Sequence, residues 1–91
     1  MGYAKGSIDE MGEGPGFRKI RPALGVTAFG VNAIVYAPGF EGFMHYHDEQ
    51  DELYFVHRGI ARFEVDGDEF ELGPGGVVHV ESTTPRKVTN A

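Results

Sequence analysis

Apolar and polar residues alternate in short runs along most of the chain, and glycine or proline separates one run from the next. The alternation is clearest at residues 60–65 and 69–72, where the intervening Asp66 and Gly67 are typical of a β-hairpin turn. Further strands are predicted at residues 24–31, 32–37, 52–56, 77–80 and 86–90. No stretch keeps a helical period long enough to predict a helix. The pattern therefore predicts an all-β fold.

The N-terminal residues 1–16 differ from the rest because glycine and polar side chains dominate them. This composition predicts a flexible arm, followed by one domain over residues 17–91. The alternative is an arm that becomes ordered against a partner subunit. With 91 residues, the chain is long enough for one domain with a thin core, to which oligomerisation would add stability.

Charge and cysteine content restrict the classes of partner. The formal net charge is -6 and no basic stripe occurs, which argues against a nucleic-acid or anionic-membrane partner. No apolar run approaches membrane-spanning length, and no signal peptide pattern is present. The chain has no cysteine and therefore no disulfide framework, so a cytoplasmic location is expected.

The chemistry-bearing residues cluster between residues 39 and 59. His45 and His47 are two residues apart, so on a strand both imidazoles point to the same side. The polar residues 48–51 predict a turn, after which Glu52 opens an apolar strand. A hairpin of this kind folds the carboxylate over the imidazole pair. Two imidazoles and one carboxylate suit a divalent transition metal: iron, manganese, nickel, cobalt or zinc.

The spacing of Gly39, His45, His47, Glu52 and Gly59 resembles the first sequence motif of the cupin superfamily. The resemblance covers roughly residues 23–91. It implies an antiparallel double-stranded β-helix, or jelly-roll barrel, with the motif residues at its mouth. Cupin barrels usually add one or two strands after the last one predicted here. The barrel is therefore expected to be incomplete at its C-terminus, or to be closed by the N-terminal arm or another subunit.

A second cupin motif normally supplies a fourth ligand, a histidine, and two alignments compete for it here. One alignment places His79 in that position. The other, which we prefer, keeps Gly75, Asn90 and every interval between them, and it places Arg86 there. An arginine has no lone pair to give to a metal, and its charge would weaken cation binding. It would bind an anionic substrate or pair with Glu52.

Three functions are compatible with these residues. The first is a metal-dependent enzyme of the oxygenase or isomerase type that acts on a small molecule. The second is a metal-free ligand-binding or sensor barrel, and the third is a structural domain with a degenerate site. A homodimer is also predicted, because Leu53 and Phe55 point away from the side that carries Glu52 and need to be covered.

Overall fold

The computed structural model describes residues 2–91. It is built mainly from seven short strands: β1 (Gly16–Arg18), β2 (Ala33–Val35), β3 (Glu52–Phe55), β4 (Ala61–Val65), β5 (Asp68–Leu72), β6 (Val77–Val80) and β7 (Arg86–Asn90). The helical residues are a 3-10 turn at Ile8–Glu10 and helix α1 at Ile20–Leu24. All strand pairs are antiparallel, so the predicted all-β class is confirmed. Among the described residues, neither helical segment approaches the length and apolarity that a membrane crossing requires.

The described residues up to Ala37 form one compact unit, in which β1 pairs with β2. The strand predicted at residues 24–31 is wrong, because α1 ends at Leu24 and no strand begins before Ala33. Gly25 ends the helix in the left-handed region, with φ 70°, where only glycine avoids steric strain. A helix of five residues is too short to leave a 3.6-residue period in the sequence.

Residues 38–91 form the second compact unit and contain two sheets. In one sheet β3 pairs with β6, and in the other β4 lies between β5 and β7. The predicted hairpin at Asp66 and Gly67 joins β4 to β5, and Asp66 adopts a φ of 50° there. Phe63, buried on β4, stacks on Phe70 of β5 and meets the edge of the Tyr54 ring of β3. Phe63 is thus the aromatic residue of the buried core, and the half-buried rings of Phe70 and Tyr54 pack on it.

The segment before β3 runs antiparallel along β7 and changes register by one residue. Glu41 pairs with Thr89, whereas His45, four residues later, pairs with Arg86, only three residues back along β7. The extra residue is a bulge, which turns the following side chains to the other face. Gly42 lies in this stretch, and its backbone approaches β7 so closely that a Cβ atom there would lie 2.3 Å from the Val88 carbonyl oxygen.

Candidate metal centre

The bulge places both predicted histidines on the face that carries Arg86. His45 exchanges two backbone hydrogen bonds with Arg86, at 2.9 and 2.8 Å, and the His47 N–H donates to the Ser82 carbonyl at 2.8 Å. Paired residues of an antiparallel ladder share a face, so His45 and Arg86 project to the same side. The sequence predicts a hairpin in which the segment of His45 and His47 folds back on the strand of Glu52. In the structure these two segments do not pair as a ladder, because β3 pairs with β6.

Glu52 reaches the histidines from the first position of β3. Its Oε1 atom lies 3.3 Å from His47 Nε2 and 3.9 Å from His45 Nε2. Tyr54, on the same face of the strand, donates its hydroxyl to that oxygen at 2.5 Å. The turn at residues 48–51 therefore brings the three predicted ligands together, as the spacing indicated.

The donor set fits a divalent metal. Ligand atoms that share one ion at about 2.1 Å lie about 3.0–3.4 Å apart. The 3.3 Å separation between Glu52 and His47 falls in this range, and the 3.9 Å separation between Glu52 and His45 lies above it. One donor atom of each of the three side chains lies within 4.8 Å of the other two. His47 Nε2 is buried, and neither Glu52 nor any other protein atom forms a hydrogen bond with it. A buried nitrogen without a partner is costly unless it binds a ligand.

The tautomer of His45 also suits metal binding. Its Nδ1 atom lies 3.2 Å from the Phe43 carbonyl oxygen, which can only accept a hydrogen bond. In the neutral imidazole the Nδ1 atom therefore carries the proton, which leaves the lone pair on Nε2, the atom that faces Glu52. Protein metal sites commonly orient a ligating histidine in this way.

Arg86 contacts the Glu52 carboxylate from the side of the cluster that solvent does not reach. Its side chain is 0% exposed, and its Nη1 atom donates to Glu52 Oε1 at 3.4 Å. Its Nη2 atom donates to the carbonyls of Glu81 and Ser82, at 2.6 and 3.4 Å. The preferred alignment predicts Arg86 at the position of the fourth cupin ligand, where it binds an anionic substrate or pairs with Glu52. In the structure its anionic partner is Glu52.

His79 is on the other face of β6. It pairs with Leu53, whereas Val80 pairs with Glu52. Its Nε2 atom donates to Asp51 Oδ2 at 2.9 Å, outside the cluster of His45, His47 and Glu52. This hydrogen bond, together with a second one from a backbone N–H, lowers the pKa of the Asp51 carboxyl below its usual value. The contact ties the turn before β3 to the end of β6.

Tyr54 and the Phe43 carbonyl were not among the predicted site residues. The alternation along β3 indicated that Tyr54 shares a face with Glu52, which was the available sign of its role. Nothing in the sequence indicated the contact with the Phe43 carbonyl, because backbone carbonyls carry no residue-specific pattern. Both groups orient ligand side chains rather than supply donor atoms.

Comparison with known proteins supports the class that the fold and site define. Residues 33–91 match a family model described as a cupin domain, so the chain belongs to the cupin domain family. The fold is also similar to the crystal structure of a cupin protein from Bacteroides fragilis, with a TM-score of 0.74 and 22% sequence identity. That match covers 100% of this chain and 75% of the other. A search of curated proteins found no match. The predicted cupin barrel is thereby confirmed.

Proposed function

We propose that this small cupin binds one divalent transition metal through His45, His47 and Glu52, and that the resulting centre binds or transforms a small organic anion. The observation that carries the proposal is the buried His47 Nε2 atom, which has no protein hydrogen-bond partner and lies 3.3 Å from a carboxylate oxygen. Iron, manganese, nickel, cobalt and zinc all suit two imidazoles and a carboxylate. When bound, such a metal supplies Lewis-acid or redox chemistry.

The charge balance supports an anionic ligand. The Arg86 guanidinium offsets the charge of Glu52, and the histidines are neutral when they act as ligands. A divalent ion at this cluster would thus keep both of its positive charges uncompensated by the protein. An anion that joins it would be favoured by Coulomb attraction. Arg86 contributes this charge from the buried side of the cluster, where its Nη1 atom contacts Glu52 and its Nη2 atom contacts the carbonyls of Glu81 and Ser82.

The same arginine favours a second candidate, a metal-free ligand-binding barrel. Arg86 already provides Glu52 with a cationic partner and connects it to the chain between β6 and β7. A cluster stabilised in this way keeps its geometry without a metal. In this alternative the histidines and Tyr54 act as hydrogen-bonding groups for an organic ligand.

Metal titration of the purified protein separates the two candidates. The protein is first analysed for bound elements by plasma mass spectrometry. It is then stripped with a chelator and titrated calorimetrically with Mn²⁺, Fe²⁺, Co²⁺, Ni²⁺ and Zn²⁺. We expect one equivalent of at least one of these metals to bind and to remain bound through gel filtration. If the protein retains none of the five, the metal site is refuted and the metal-free barrel takes its place.

We also propose that the chain forms a homodimer through the outer face of the β3–β6 sheet. Three neighbouring side chains on this face are apolar and exposed: Leu53, Phe55 and Val77. A patch of this kind is typical of a subunit interface, and a second copy that covers it would enlarge a thin core. Dimerisation also accounts for Phe55, which is 64% exposed despite its size.

The variant Phe55→Lys is expected to convert the dimer into a monomer, because it places a charge at the centre of the apolar contact. Light scattering coupled to gel filtration gives the mass, to be compared with 9.9 kDa for one chain. Phe29→Lys is the matched control, since Phe29 is equally exposed but lies outside β3 and β6. A monomeric wild-type protein, or a dimer that survives Phe55→Lys, would contradict the proposal.

A further inference from the structure

Phe43 is an exposed aromatic residue next to the metal cluster. Its side chain is 77% exposed, the largest value among the large apolar residues of the described chain from residue 38 onwards. It precedes His45 by two residues, and its ring centroid lies 5.6 Å from that of the imidazole, with the planes tilted by 54°. The ring is therefore held beside a proposed ligand, although water covers most of its surface.

The burial of the neighbouring groups shows on which side of the cluster this ring lies. Arg86 closes one side and is inaccessible to solvent, whereas the side chains of His45, His47 and Glu52 are partly exposed. A ligand must approach from the exposed side, where Phe43 packs against the partly exposed His45 ring. An aromatic ring at the entrance of a charged centre gains free energy when a second apolar ring covers it.

We propose that Phe43 determines ligand specificity and that the site takes a small carboxylate that carries an aromatic ring. The carboxylate joins the cationic centre formed at His45, His47 and Glu52, and the aromatic ring packs on Phe43. This inference rests on the proposed metal function and adds the class of ligand to it. The two recognition elements are separate. The positive charge of the metal centre attracts the ligand's carboxylate, and the Phe43 ring packs on the ligand's aromatic ring.

The test compares two anions on the Co²⁺-loaded protein, with the visible spectrum of Co²⁺ as the readout of anion binding. In the wild-type protein, phenylacetate is expected to bind about tenfold more tightly than acetate, the gain expected when an apolar ring is buried on one face. In Phe43→Ala this ratio should fall close to one. Co²⁺ should still bind, because the carbonyl of residue 43 that orients His45 belongs to the backbone.

Tyr46→Ala is the matched control. Tyr46 is aromatic and 61% exposed, but it lies between the two histidines and alternates to the other side of the segment. It should keep the preference for phenylacetate. Equal affinities in the wild-type protein, or the same loss in both variants, would overturn the proposal while leaving the metal site intact. If Phe43→Ala changes the mass in solution, Phe43 is a subunit contact and the proposal is also overturned. The proposed metal function itself fails only if the protein retains none of the five metals of the titration, an outcome that is read before any anion is added.

Discussion

The double variant His45→Ala/His47→Ala is expected to lose essentially all of the divalent metal that the wild-type protein binds. It removes both imidazoles and leaves Glu52 as the remaining donor of the cluster. One carboxylate that already accepts hydrogen bonds from Tyr54 and Arg86 does not hold a transition metal at micromolar concentration. The measurement is elemental analysis after loading with metal and gel filtration, side by side for the two proteins.

The remaining two histidines of the chain provide a control of identical composition. His57→Ala/His79→Ala also deletes two imidazoles, but His57 is exposed and His79 contacts Asp51. This variant should keep the wild-type metal content. Metal loss of equal size in both double variants would point to non-specific binding by surface imidazoles. Circular dichroism establishes that each variant is folded, so that loss of metal is not loss of structure.

The proximity of the three proposed ligands was predictable because it depends on local spacing. Residues two positions apart on a strand, such as His45 and His47, point to the same side. The four-residue turn that follows is long enough to return Glu52 to them. The position of Arg86 followed from the resemblance to the second cupin motif, in the alignment that keeps its intervals between Gly75 and Asn90. These inferences depend on distance along the chain, which a sequence records directly.

The pairing partners were less predictable because they depend on contacts between distant residues. The segment of His45 pairs with β7 rather than β3, and its one-residue bulge has no counterpart in the hydrophobic pattern. Gly42 was the available sign, but a glycine marks a bend, a bulge or a close approach equally well. The burial of Arg86 and its two carbonyl partners likewise follow from packing, which the spacing of a motif does not specify.

The variant Arg86→Met is expected to lower the free energy of unfolding by about 2–4 kcal/mol. Methionine fills much of the same volume but donates no hydrogen bond, so the Glu81 carbonyl and Glu52 each lose a partner. Urea denaturation of the metal-free protein measures the effect. Arg62→Met is the control, because Arg62 is an exposed residue of β4 and its replacement should change stability by less than about 0.5 kcal/mol. Equal stabilities of the two variants would show that Arg86 is not a structural partner of Glu52.

Arg86→His separates the two effects that this arginine has on the site. A histidine restores the imidazole that the second cupin motif normally supplies, and it removes a fixed positive charge 3.4 Å from Glu52. Metal affinity should therefore rise by about tenfold or more, because a fourth donor is added and the repulsion disappears. The metal-free variant should nevertheless be less stable than the wild-type protein, since histidine cannot reach both Glu52 and the carbonyls of Glu81 and Ser82. Opposite changes in affinity and stability would show that this cupin keeps a preformed ligand cluster at the expense of metal affinity. Weaker metal binding by a folded Arg86→His protein would refute that account.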